Sequence, residues 1–305
     1  MRKILAHRGL RFILIANMVS MIGSGMNTAA VTWFLLKATG SEVALGWLLI
    51  LQTLPAMLLM PFSGVIIDRE DRRHLVMILD AGRGLVILLV ALLALMHRVQ
   101  NWQLYAMAVL VATGFWMFWP TVSALVQELT PDSEFVHSNT FLLAGVQGGW
   151  LLAGAFVGFV YNHIGLGGVL LFDVCTYVVS FCCYFAVRKG RHVVHPTREE
   201  IVEAERSALR YFRDMRQGYE YIRNSRYLVL LSISWALFLG AMLINGILSA
   251  PFSDRILHAG AVGYGWLNGG WAIGAVLSTI YTAWMIRRFR RIRLQPHRAR
   301  RRVAV

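Results

Sequence analysis

Residues 43–96 read VALGWLLILQTLPAMLLMPFSGVIIDREDRRHLVMILDAGRGLVILLVALLALM. Two apolar runs flank a cluster of six charged residues at 68–73. An apolar run of about 20 residues is long enough to cross a bilayer as a helix. Inside lipid only helices and closed barrels pair all of their backbone groups, and the alternating strand pattern of a barrel is absent. The stretch therefore predicts two membrane helices joined by a charged turn.

The rest of the sequence has the same character. It is 57% apolar and 15% charged, with a mean hydropathy of +0.56, whereas a soluble domain carries roughly 25% charged residues. We therefore predict an all-α integral membrane protein, and windows of about 19 residues predict eight spans. The spans lie near residues 12–36, 43–67, 74–96, 102–126, 139–162, 166–187, 227–253 and 263–286.

The net charge of +14 is distributed unevenly over the connections between these spans. Of the 30 Lys and Arg residues, 26 lie on one set of connections and termini, while the opposite set holds only Lys37, Arg98 and Arg255. Basic connections stay in the cytoplasm, so both termini are predicted to be cytoplasmic. Because topology explains the charge, nucleic-acid binding is not predicted. We expect a multi-pass protein of the plasma membrane, the inner membrane of a bacterium.

One long connection divides the chain into six spans (1–187) and two (227–286), followed by a basic tail at 287–305. The connection, 188–226, is predicted to be a linker with an amphipathic helix on the inner membrane surface, beside anionic lipid. A solvated basic linker is the alternative. A Gly-Trp-Leu sequence at 46–48 recurs at 265–267, at matching points of the second and eighth spans, which suggests parallel repeats of a six-span unit.

The charged turn has a distinctive pattern: Gly64, three residues, Asp68-Arg69, two residues, then Arg72-Arg73. This resembles the signature loop of the major facilitator superfamily. The glycine permits close helix approach, Asp68 suits the positive end of a facing helix, and the arginines can pair with acids on neighbouring helices. Glu128, at the inner end of the fourth span, is the predicted partner of Arg72.

Within that superfamily the sequence is most similar to the macrolide-efflux and enterobactin-exporter branch. The resemblance implies a complete six-helix bundle, plus the first two helices of a second bundle, with the sequence stopping after the eighth span. It also implies export of amphipathic small molecules, of drug or macrolide type, by alternating access in exchange for protons. A siderophore or lysolipid exporter and a non-transporting membrane fragment are the alternatives. The fourth span lacks the arginine, and the fifth the Gly-Pro, of the antiporter patterns, which leaves the proton coupling open.

Ionisable residues inside spans are functional candidates because they are costly in lipid. Asp80 and Arg83 lie one turn apart and can neutralise each other, so we predict a structural or gating role for them. Asp173 has no charged neighbour in its own span. Because burial favours the neutral form of a carboxyl group, Asp173 is the candidate for proton coupling. The alternative is a hydrogen-bonding residue near the outer end of its helix.

The remaining candidates are polar or aromatic residues that can line a central cavity. No phosphate-binding loop, Ser-His-Asp set or metal-ligand spacing is present in the sequence, so neither an enzyme, a cofactor nor a metal site is predicted. The predicted partners are a small-molecule substrate, the lipid bilayer and protons, and the sequence does not indicate an oligomeric state. The cavity candidates are Asn17, Asn27, Gln52, Trp119, Gln147, Asn245 and Asn268.

Overall fold

The computed structural model describes residues 8–130, 132–187 and 220–294. The stretch Asp132–Ala186 is one run of helical hydrogen bonds broken at Gly165, where a φ of 64° and a ψ of −172° need a residue without a Cβ. We treat it as two helices, α5 (132–164) and α6 (166–186). The other helices are α1 (Arg8–Thr39), α2 (Glu42–Arg69), α3 (Arg72–Leu95), α4 (Asn101–Leu129), α7 (Arg226–Pro251), which continues into a π-helical turn at Phe252–Ile256, and α8 (Gly260–Leu294).

The all-helical fold class is confirmed, and each predicted span coincides with one of these helices. Five stretches of the described residues are long and apolar enough to cross a membrane. One of them covers most of the predicted fifth and sixth spans. The amphipathic helix predicted in the linker falls largely on 188–219, outside the described residues. The five stretches are Gly9–Thr39, Arg72–Leu95, Asn101–Leu129, Gly145–Ala186 and Arg226–Ile256.

Helix α3 shows how the bundle faces lipid. Leu85, Leu89 and Leu92 recur at spacings of four and three, and each is about half exposed. The opposite face buries Asp80, Arg83 and other residues in the bundle. Since a soluble helix buries its apolar stripe, an outward leucine stripe with charges inside indicates that lipid contacts the outer face of α3.

Two apolar clusters fill the bundle. One lies toward the connections α1–α2 and α3–α4, which we call the arginine-poor side, and includes Trp33, Leu36 and Leu104. The other lies toward the opposite, arginine-rich side and includes Phe118 and Tyr184, whose rings meet edge to face at 6.2 Å. Most of the buried polar and charged side chains of the described residues lie along α1, α3 and α6.

Small residues join α8 to the first six helices. A Cβ added to Gly158 on α5 would lie 2.3 Å from the Ala261 carbonyl oxygen, and one on Gly265 would lie 3.0 Å from that of Gly154. Such contacts bring two membrane helices together along their backbones. Helix α7, in contrast, exposes most of its apolar side chains in the described part of the chain.

Candidate functional site

A line of buried polar side chains, which we call the polar seam, runs along the antiparallel contact of α1 with α6. Asn17 Nδ2 donates to Tyr184 Oη at 2.8 Å, and Ser24 Oγ lies 3.0 Å from Tyr177 Oη. One turn further along α1, Asn27 Nδ2 donates to Asp173 Oδ2 at 2.7 Å. Each pair has residue numbers that add to 200 or 201, so one helix register aligns them all.

An ion pair in α3 borders the seam. Asp80 and Arg83 form the salt bridge that their spacing allows, and both are almost fully buried. Ser180 Oγ donates to Asp80 Oδ2 at 2.6 Å. The guanidinium lies against two aromatic rings, 4.3 Å from the centroid of Phe118 and 4.8 Å from that of Tyr177. Surrounding the charges in this way offsets the cost of their burial.

Asp173 is fully buried at the other end of the seam. Besides Asn27, Thr176 donates to its Oδ1 at 3.2 Å and to its backbone carbonyl at 2.7 Å. Gly23 makes this arrangement possible, because a Cβ there would lie 2.3 Å from Asp173 Oδ1 and 2.2 Å from Thr176 Oγ1. The carboxyl group is therefore held between α1 and α6 by hydrogen bonds and by close packing.

A central cavity of about 370 Å³ adjoins the seam. Its walls come from α1, α2, α4, α5, α6 and α7, and no Asp, Glu, Lys or Arg lines it among the described residues. Large apolar walls with a few amide and hydroxyl groups suit an amphipathic ligand. The lining residues are Ser24, Asn27, Thr28, Val31, Gln52, Thr53, Met107, Ala108, Val111, Ala112, Phe115, Trp116, Trp150, Tyr177 and Met242.

The predicted cavity residues divide into three groups. Asn27 and Gln52 line the central cavity, whereas Asn245 and Asn268 line a second cavity of about 440 Å³ between α7 and α8. The remaining three line neither cavity. Asn17 belongs to the polar seam, Trp119 packs against the cluster around Phe118, and Gln147 is exposed. Ser24 and Tyr177 line the cavity without having been predicted.

The charged turn at 68–73 ties the bundle together on its arginine-rich side. Asp71 caps α3 by accepting from the backbone N–H of Arg73 and His74, at 3.0 and 3.2 Å. Arg72 Nη1 lies 3.7 Å from Glu128 Oε2 and donates to the Ala124 carbonyl at 3.3 Å.

Arg73 was predicted to pair with an acid, but it donates instead to the carbonyl oxygens of Tyr184 and Phe185, at 2.9 and 2.6 Å. These carbonyls lie at the carboxyl end of α6, where a cation complements the helix dipole. Gly64, Asp68 and Arg69 lie outside the residues whose side chains the structure describes.

Two ion pairs cross the arginine-poor side between the first two helices and the end of α7. Lys37 Nζ lies 2.5 Å from Asp254 Oδ1, and Arg255 Nη1 lies 2.5 Å from Glu42 Oε1. Arg255 Nη2 also donates to the Gly40 carbonyl at 2.6 Å. We call these four side chains the crossed ion pairs. They were not predicted as a site, although Lys37 and Arg255 are two of only three cations on this side.

A lipid-facing bundle with a buried ion pair, a buried acid and an adjoining amphipathic cavity defines a polytopic α-helical membrane protein with a candidate ligand site. Residues 13–299 match the Major Facilitator Superfamily, and the chain belongs to that family. The resemblance read from the charged turn is thereby confirmed at the level of the family.

Relatives and a solved structure agree with this assignment. The chain is 24% identical over 174 residues to the uncharacterized MFS-type transporter YfiS of Bacillus subtilis (strain 168), covering 54% of this chain and 40% of the relative. It is 21% identical over 224 residues to macrolide efflux protein A of Streptococcus pyogenes, covering 72% and 53%. The chain thus spans about half the length of these relatives, or less.

The fold is similar to that of a bacterial homolog of the human lysosomal transporter Spinster, solved in an inward-facing and unoccupied conformation. The TM-score is 0.60 at 16% identity, over 92% of this chain and 64% of that chain. At this identity the likeness establishes the fold alone.

Proposed function

We propose that the chain belongs to a secondary active exporter of amphipathic small molecules, which works by alternating access and exchanges its substrate against protons. The observation that carries this proposal is the central cavity, whose aromatic and aliphatic walls adjoin a buried carboxyl group one hydrogen bond away. The name of the streptococcal relative, a macrolide efflux protein, supports export. The antiport exchange would use Asp173 as its proton site. Residues 1–187 would form the first helix bundle, and residues 227–286 the start of the second.

The charge asymmetry supports the orientation of this exporter. We place the arginine-rich side and both termini in the cytoplasm, in a bacterial inner membrane. In this orientation the crossed ion pairs lie on the outer side and close it. A closed outer side corresponds to the inward-facing conformation in which the similar structure was solved. Alternating access requires these pairs to separate when the outer side opens.

Cells producing the chain are expected to extrude an amphipathic cationic dye in an energy-dependent manner. Replacing Asp173 by asparagine removes the titratable group, so we expect extrusion to stop responding to the proton gradient. The measurement is the rate of loss of dye fluorescence from preloaded cells, with and without a protonophore. Asp68→Asn, in the charged turn, is expected to abolish extrusion in the same assay.

Two results bear against the proposal. Dye loss equal to that of cells without the protein would exclude export by this chain. Equal sensitivity of the wild type and Asp173→Asn to the protonophore would exclude Asp173 as the proton site. Glu220→Gln, at an exposed acid outside the predicted spans, is the matched control for removing one carboxylate.

Reversing one member of the crossed ion pairs is expected to favour the outward-open state. Lys37→Glu places an acid beside Asp254 where a salt bridge stood, and exposed ion pairs are worth about 0–1 kcal/mol each. We expect a cysteine introduced at Thr28, in the cavity and with the native cysteines removed, to react about two- to fivefold faster with an impermeant maleimide from outside. The second reversal, Asp254→Lys, should restore the slow rate.

Arg98 provides the control, because it is the third cation of this side and is exposed. Arg98→Glu changes the net charge as Lys37→Glu does. If it accelerates labelling equally, the effect is one of surface charge and not of the crossed ion pairs.

A further inference from the structure

The cavity and the buried acid meet at Asn27. Its side chain lines the cavity, and its Nδ2 donates to Asp173 Oδ2 at 2.7 Å. Asp173 is fully buried and does not itself line the cavity. Its other described side-chain partner, Thr176, does not line the cavity either. Among the described side chains, Asn27 is therefore the one that both lines the cavity and hydrogen-bonds to the Asp173 carboxyl group.

An amide has a donor end and an acceptor end, and its neighbour decides which end points where. An ionised carboxylate only accepts, so it holds Nδ2 of Asn27 toward itself and leaves Oδ1, an acceptor, for the cavity. A protonated carboxyl group carries an O–H that donates. The amide satisfies that O–H by turning Oδ1 toward it, which presents Nδ2, a donor, to the cavity.

We propose that Asn27 is the positioning residue through which the proton on Asp173 changes what the cavity binds, and that the ligand carries a hydrogen-bond donor such as an amine N–H. This inference rests on the proposed export function. With Asp173 ionised, the cavity offers an acceptor and binds the donor of the ligand. One proton from water then converts the carboxylate to the acid, the amide turns, and the ligand loses its partner. The same proton returns to water when the acid ionises again.

The groups around Asp173 are held by other contacts, so the Asn27 amide is the group that can turn when Asp173 is protonated. Gly23 and Thr176 hold the Asp173 carboxyl group in place. The other charged or titratable groups that act on Asp173 in the described part of the chain are Arg83 and Asp80 on α3 and Tyr177 on its own helix. The first two are paired with each other, and Tyr177 is hydrogen-bonded to Ser24. None of these contacts has to break for the amide to rotate.

Two dyes with the same cationic ring system separate this idea from general electrostatics. Rhodamine 6G carries two N–H donors, whereas tetramethylrhodamine ethyl ester carries none. We would measure the binding of each to the full chain in lipid nanodiscs by fluorescence anisotropy, between about pH 5 and pH 8. The affinity for rhodamine 6G is expected to fall about tenfold toward low pH, the effect of about one hydrogen bond. The affinity for tetramethylrhodamine ethyl ester, which has no N–H donor, should change less than about twofold over the same pH range.

Variants assign the effect to Asn27. Asn27→Ala is expected to remove the pH dependence for rhodamine 6G, and Asn27→Ser, whose hydroxyl both donates and accepts, to keep part of it. Gln52→Ala removes an amide from the same cavity that has no described bond to an acid, so it should keep the wild-type pH dependence. The serine variant also serves if the alanine variant does not fold.

The inference is overturned if Asn27→Ala and Asn27→Ser keep the full pH dependence, or if both dyes show the same dependence in the wild type. A wild-type chain that binds neither dye saturably gives a different result. It would contradict the proposed export function itself, and the pH dependence would have no binding to act on.

Discussion

Replacing Arg83 by leucine is expected to destabilise the folded chain by about 3–5 kcal/mol, because Asp80 is left buried without its cation. The residual partner of Asp80, the hydroxyl of Ser180, is neutral and cannot replace the lost charge. The guanidinium also fills the space between the rings of Phe118 and Tyr177, so its removal loses packing as well. The measurement is thermal unfolding in detergent, followed by the loss of the monodisperse peak in size-exclusion chromatography.

Two comparisons make this result specific to the pair. Arg98→Leu is the same change at an exposed position and is expected to alter stability by less than about 0.5 kcal/mol. The double variant Asp80→Leu/Arg83→Leu removes both charges and is expected to be more stable than Arg83→Leu alone. A single variant as stable as the wild type would show that the ion pair does not hold the bundle together.

The fold was predictable because each level of the sequence pointed the same way. Apolar runs predict the helices, and the charged turn resembles the family loop. The pairing of Asp80 with Arg83 was also predictable, since a spacing of three residues in a helix brings two side chains together. Contacts of this kind depend only on local geometry.

The partners of Asp173 were not predictable, because Asn27 lies 146 residues away and meets it only through the register of α1 on α6. The prediction of which residues line the cavity missed some of them for a related reason. Trp116 and Trp119 lie one turn apart on α4, yet only Trp116 lines the cavity. In a membrane helix the lipid-facing and buried sides are both apolar, so hydropathy does not show which aromatic residue borders a cavity and which packs in the core.

The crossed ion pairs were not predicted as a site, because no local pattern in the sequence around them indicates a contact. Lys37, Glu42, Asp254 and Arg255 are charged residues in short connections, where charges are usually solvated and carry no periodic pattern. The scarcity of cations on that side was a usable signal, because two of its three cations take part.

Replacing Gly158 by alanine is expected to separate α5 from α8. The new Cβ would lie 2.3 Å from the Ala261 carbonyl oxygen and 2.6 Å from the Val262 Cα. Both are backbone atoms, which cannot rotate away as a side chain can. Relief therefore requires one helix to move, and overpacking of this kind costs about 1–3 kcal/mol. A Cβ added to Gly269 would lie 3.6 Å from the Ala155 backbone nitrogen, so we expect a disulfide between cysteines introduced at Ala155 and Gly269 to form more slowly in this variant.

Gly148→Ala is the matched control, because Gly148 lies on the same helix and a Cβ there meets nothing within 4 Å. Alanine favours a helix over glycine by about 1 kcal/mol, so this variant should be neutral or slightly more stable. The two substitutions thus differ only in what the methyl group meets. If they slow the cross-link equally, α8 does not pack against α5 through Gly158. If only Gly158→Ala slows it, close backbone contact at Gly158 holds α8 against α5.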